Sequence, residues 1–83
     1  MSGTNVKIQF NYDMLRKLIR IHSGSVRQFA ADVGMGYHSL MSRLSGKSFF
    51  TVEEIEKIST FFNLSPEAAK QCFFSLQSGL FAK

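Results

Sequence analysis

Three observations in the sequence predict an all-α fold of five helices. Helix-capping residues followed by an acid or amide in the first turn occur at Ser25-Val-Arg-Gln28, Thr51-Val-Glu-Glu54 and Ser65-Pro-Glu67. Apolar residues recur mainly at spacings of three and four, the period of one helix face. Glycine stands where several of these runs stop, at Gly24, Gly34 and Gly46.

The first helix opens after Asn11, with Asp13 in its first turn, where a carboxylate suits the helix dipole. Leu15, Leu18, Ile19 and His22 share one face, Met14 and Ile21 flank it, and Ser23-Gly24 ends it. Ser25 caps the second helix, Gln28 completes a capping box, and Phe29, Ala30 and Val33 face inward. Gly34 closes that helix because a residue without Cβ enters the left-handed conformation freely. Only Met35 and Gly36 separate it from a third helix, Tyr37 to Ser45, with Leu40 and Leu44 as its buried edge.

Thr51–Glu54 opens a fourth helix carrying Ile55, Ile58 and Phe62, with Phe61 alongside. Ser65 caps a fifth, with Pro66 at its first position, running to about Phe74. Val6-Lys-Ile-Gln-Phe10 alternates apolar and polar residues, the pattern of a short strand. The chain therefore divides into an N-terminal extension (1–10), a helical domain (11–74) and a C-terminal tail (75–83).

Composition narrows the function classes. The chain has 83 residues, of which 45% are hydrophobic and 19% charged, which fits one small packed domain and not a disordered tail. One cysteine, Cys72, excludes an internal disulfide, and its simplest role is a small core residue. No run approaches the roughly 18 apolar residues of a membrane span. Met1–Lys7 lacks the apolar stretch of a leader, so the expectation is a soluble, cytoplasmic protein with no membrane partner.

The net charge of +4 favours an anionic partner, and its placement sharpens this. Residues 1–50 carry seven cations (Lys7, Arg16, Lys17, Arg20, Arg27, Arg43, Lys47) against two anions (Asp13, Asp32). Residues 51–83 carry three cations against four anions, so the whole positive excess lies in the first part. An anion-facing front and an ordinary solvated surface are both open at this point.

Catalytic and cofactor chemistry find no support. Two histidines and one cysteine offer no zinc spacing, and His22, ending an apolar stripe, reads as a packed or capping residue. Ser25 and Asp32 have no histidine arrangement to make a nucleophile, and capping and solvent roles suffice for them. Gly34-Met-Gly36 follows a helix and is too short to cradle a phosphate. The expectation is a non-enzyme with no cofactor, no metal and no small-molecule substrate.

The informative unit is Ser25–Lys47: a short helix, a turn through Gly34-Met35-Gly36, and a second short helix. Ala30 and Ala31 allow close approach of the second helix, and Met35 plugs the gap at the turn. Such a second helix can enter a major groove about 12 Å wide. Val26-Arg-Gln-Phe-Ala-Ala-Asp-Val-Gly-Met35 and Ser39-Leu-Met-Ser-Arg-Leu-Ser-Gly-Lys47 resemble the helix-turn-helix of the phage repressor and Cro family. Gly46-Lys-Ser-Phe-Phe-Thr-Val-Glu-Glu-Ile-Glu-Lys-Ile58 and Asn63-Leu-Ser-Pro-Glu67 extend the likeness. Asn11-Tyr-Asp-Met-Leu15 and Phe73-Phe74 are similar to segments of small Cro-like phage proteins, so the resemblance covers about residues 11–74.

The resemblance implies a five-helix, lambda-repressor-like domain that binds double-stranded DNA as a homodimer. Base reading then falls to Tyr37, His38, Ser39 and Ser42 on the third helix. The helical wheel agrees, since His38 and Ser42 lie opposite Leu40 and Leu44. Arg27, Arg43 and Lys47 become the phosphate contacts. For Arg43, laying its stem along the core edge is an equal alternative. Arg16, Lys17 and Arg20 read as a solvated basic edge.

The chain departs from the family at Val26, Gly36 and Ser42, where Gln, Ser or Thr, and a long polar side chain are common. The third helix thus lacks a side-chain cap and a bidentate reader, so the expectation is modest specificity per base or readout of DNA shape.

Nine Phe and two Tyr exceed what one small core takes. Phe50, Phe62 and one of Phe73/Phe74 are expected to fill the core, while Phe49 and Phe81 are surplus, which favours a homodimer seam of Phe49, Phe74, Leu76, Leu80 and Phe81. The alternative is a tail folded over its own domain beside Val6–Phe10. The leading expectation is a phage- or prophage-type transcriptional repressor. A protein-interaction module that keeps the fold without base readout, and an antitoxin-type autoregulator, are the other readings.

Overall fold

A computed structural model of the chain describes residues 9–76. It contains α1 (Asp13–Ser23), α2 (Val26–Val33), α3 (Tyr37–Leu44), α4 (Val52–Phe62) and α5 (Pro66–Phe73), and the fold is all-α, as expected.

The caps explain why the helices begin where they do. Ser25, Thr51 and Ser65 each accept the backbone N–H three residues on, from Gln28, Glu54 and Ala68, at 3.1 Å. At α4 the capping box is complete, because the Glu54 carboxylate also accepts the Thr51 N–H at 2.9 Å. At α2 it is not. The Gln28 amide donates instead to Asp32 at 2.8 Å, one turn on, and Asp32 also accepts from Ser23 at 2.8 Å. Asp32 therefore ties the end of α1 to α2. At α1 the Asn11 side chain accepts the Asp13 N–H at 2.8 Å.

The core is built from one face of every helix. Leu15 and Ile19 of α1, Phe29, Ala30 and Val33 of α2, Leu40 and Leu44 of α3, Ile58 of α4, and Cys72 and Phe73 of α5 are buried together with Tyr12 and Phe50. Phe29 stacks on Phe62 with ring centroids 5.2 Å apart, and Phe50 meets Tyr12 and Phe73 edge-on at 5.4 and 5.2 Å. Of the Phe73/Phe74 pair, Phe73 is the interior residue. Burial raises the Tyr12 phenol and the Cys72 thiol above their ordinary pKa values. His22 packs against Phe62 at 5.0 Å.

Most of the expected Val6–Phe10 strand lies outside the described residues. Phe10 forms an isolated antiparallel bridge with Leu76, and the Asn11 N–H donates to the Ser75 carbonyl at 2.6 Å. The start of the tail is thereby fixed beside the entry to α1. No helix among the described residues is long and apolar enough to cross a membrane.

Candidate nucleic-acid interface

The α2–turn–α3 unit sets the geometry of the candidate surface. Gly34 ends α2 with φ 77° and ψ 35°, a left-handed conformation in which an L side chain is strained. The turn is closed by the Met35 N–H donating to the Ala30 carbonyl at 2.9 Å, with Met35 packed against the core. Gly36 is the N-cap of α3 and itself offers no side-chain acceptor to the N–H groups of the first turn.

Three of the expected contact residues converge at that N-terminus. The Arg27 guanidinium carbon lies 4.1 Å from the Tyr37 ring centroid, and the His38 ring meets Tyr37 at 5.5 Å. Arg27, His38 and Ser39 are exposed, and Tyr37 is half-buried beneath Arg27. Positive charge, a hydroxyl and an imidazole are thus presented together with the helix end. Sequence reasoning names these residues singly and misses the stack that joins them.

The C-terminal half of α3 is organised differently. Ser42 does not point freely outward: it is half-buried, with its hydroxyl 3.1 Å from that of Ser48. The loop after α3 folds back because the Lys47 N–H donates to the Ser42 carbonyl at 3.0 Å, which brings Ser48 over the helix. Arg43 also turns inward. Its Nε and Nη2 donate to the two Glu54 carboxylate oxygens at 2.9 and 3.0 Å, and its Nη1 donates to the Ser48 hydroxyl at 2.9 Å. Arg43 is held by an ion pair to α4, which differs both from a phosphate contact and from simple packing along the core edge.

Glu54 responds accordingly. The hydrogen bonds from Arg43 hold its carboxyl below the ordinary glutamate range against the opposing effect of burial, with Thr51 assisting. Asp32 is lowered too, by hydrogen bonds from Gln28 and then Ser23. Lys47, beyond Gly46, is exposed. On α1, Lys17 and Arg20 are exposed, whereas Arg16 reaches the end of α3 and donates to the Leu44 carbonyl at 3.3 Å.

The expected seam residues gather elsewhere. Phe49, Phe74 and Leu76 are 59%, 50% and 41% exposed, and Phe10 joins them by meeting Phe49 at 5.8 Å and Phe74 at 5.6 Å. The four form an apolar edge beside a groove of 260 Å³ lined by Phe10, Tyr12, Phe49, Phe50, Ile55, Phe73 and Phe74. Leu80 and Phe81 lie outside the described residues. Among the described residues no group of His, Cys, Asp and Glu is placed to hold a metal. The chain matches no protein-family model and no curated protein sequence.

Proposed function

We propose that this protein is a sequence-specific double-stranded DNA-binding regulator, a Cro-like repressor that works as a homodimer by occluding a promoter. The observation that carries the reading is the cluster of Arg27, Tyr37, His38 and Ser39 around the N-terminus of α3, at the front of a helix-turn-helix. In this reading Arg27 and Lys47 bind phosphates and supply affinity, while His38 and Ser39 meet base edges. Tyr37 presents its ring edge to a thymine methyl and supports Arg27. Ser42 reads only through the part of its hydroxyl that Ser48 leaves open. The mechanism needs no catalysis and no cofactor.

Dimerisation through the Phe10–Phe49–Phe74–Leu76 edge would give two such fronts. An exposed aromatic cluster of this kind is the residue class that a protein partner covers. Two-fold symmetry places paired half-sites about 34 Å apart, one turn of DNA.

A second reading, a protein-interaction module without base readout, is favoured by one observation: Ser42 and Arg43 are turned toward Ser48 and Glu54. Duplex binding across a salt series separates the two. The DNA reading expects affinity to fall steeply with salt and Lys47→Ala to weaken binding to all sequences alike. Absence of duplex binding at low salt would leave the interaction module.

A further inference from the structure

We propose that Glu54 is a positioning residue for the DNA-facing surface: it grips Arg43 at two points, keeps that cation off DNA phosphates, and fixes the Ser48–Ser42 pair at the end of α3. The inference rests on the DNA-binding reading above. Its own support is a continuous chain of contacts. Glu54 accepts from Arg43 Nε at 2.9 Å and from Nη2 at 3.0 Å, leaving Nη1 to donate to Ser48 at 2.9 Å. The Ser48 hydroxyl lies 3.1 Å from that of Ser42.

Every guanidinium nitrogen therefore has an acceptor inside the chain. The two side chains are only 20% and 18% exposed, so the pair is shielded from salt better than a surface pair. Glu54 is anchored in turn, because its Oε1 accepts the Thr51 N–H at 2.9 Å and its backbone N–H donates to Thr51 Oγ1 at 3.1 Å. A carboxylate fixed at both backbone and side chain is a rigid post. A guanidinium matched to it loses both geometry and charge if it turns toward a phosphate. Arg43 thus contributes shape to the recognition surface and no counterion release.

The test uses the full chain and a duplex of fixed length, with log affinity measured against log salt for four proteins: wild type, Arg43→Gln, Glu54→Gln and the double variant. Glutamine at position 54 retains an oxygen for the Thr51 N–H, so the capping box survives while the charge is removed. Arg43→Gln is expected to leave the salt slope unchanged. Glu54→Gln is expected to steepen it by about 0.9, one released counterion, as Arg43 swings to a phosphate. In the double variant the slope returns to the wild-type value.

A slope that falls by about 0.9 in Arg43→Gln with Glu54 intact overturns the proposal, because Arg43 would then already be a phosphate contact. A steeper slope that persists in the double variant also overturns it, since loss of the Glu54 charge alone would be responsible. A DNA-free measurement, the carboxyl NMR titration of Glu54, reads the grip itself. Its midpoint should lie below the ordinary range in wild type and rise in Arg43→Gln. An ordinary midpoint in wild type overturns the grip whatever the DNA result. A depressed midpoint with no duplex bound by any variant instead removes the DNA-binding reading, and the claim about phosphates with it.

Discussion

The Arg27 guanidinium sits 4.1 Å above the Tyr37 ring, joining the first turn of α2 to the first residue of α3. The contact spans the turn at Gly34-Met35-Gly36, while Ala30, Val33 and Leu40 of the same two helices are buried in the core. The pairing of α2 with α3 therefore rests on an exposed contact as well as on the core. A double-mutant cycle of Arg27→Ala and Tyr37→Leu, followed by denaturant unfolding, should show a coupling of about 0.5–1 kcal/mol, the size of an exposed cation–π contact. An additive cycle would mean that the stack does not persist in solution.

Acid should weaken the fold through Glu54. Its folded-state pKa is depressed, so its contribution to stability is fully present above the unfolded value and disappears as pH falls through the folded one. Asp32 acts with the same sign through its bonds to Gln28 and Ser23. The urea midpoint of wild type should exceed that of Glu54→Gln at neutral pH, and the gap should narrow progressively as pH falls below the ordinary glutamate value of about 4.3. A gap independent of pH would show that the Glu54 charge is not what stabilises.

Two glycines flanking Met35 should respond oppositely to substitution. Gly34 has positive φ, and a Cβ added there would meet nothing within 4 Å among the described residues, so Gly34→Ala is expected to act through backbone strain. That strain should cost about 1–2 kcal/mol. Gly36 has ordinary φ, and an added Cβ would meet only the Ser39 hydroxyl at 3.7 Å. Gly36→Ser supplies the missing cap of α3 and should stabilise by a few tenths of a kcal/mol, roughly the difference between Ser and Gly caps. Thermal denaturation of both variants checks the pair of signs.

The aromatic edge yields a prediction about assembly. Phe49 and Phe74 are more than half and half exposed respectively, so replacing both with Ser removes apolar surface without emptying the core. Sedimentation should report a dimer for wild type and a monomer for the double variant, with helical circular dichroism unchanged. Wild type sedimenting as a monomer at high concentration would remove the homodimer.

Local signals make most of this fold legible in the sequence. Ser25, Thr51 and Ser65 cap the helices that follow them, Gly34 takes the left-handed conformation, and the spacing of Phe29, Ala30 and Val33 marks the buried face of α2. Each of these depends on neighbours within one turn. Legibility fails where a competing partner stands nearby or far off in sequence. The capping-box pattern pairs Gln28 with the Ser25 backbone, yet Asp32 is an equally reachable acceptor and takes the amide.

Arg43 and Glu54 are eleven residues apart across a loop, which no periodicity joins. One signal is available in the sequence: in a capping box one carboxylate oxygen satisfies the cap, so Glu54 keeps an oxygen free for a cation. The helical wheel turns Ser42 outward because it treats α3 alone and omits the loop that folds Ser48 against it. The placement of Tyr37, His38 and Ser39 at the start of α3 is legible because it needs only local helix signals. The join from Arg27 to Tyr37 is not, because it depends on how two helices cross.

Selection of bound duplexes from a random pool tests DNA recognition by this chain most directly. Enrichment of a two-fold symmetric site is predicted, with half-sites about one turn, roughly 34 Å, apart, and His38→Ala should alter the preferred bases within each half-site. A pool that shows no enriched sequence after repeated rounds, or that enriches equally for wild type and a Lys47→Ala, Arg27→Ala variant, would contradict it.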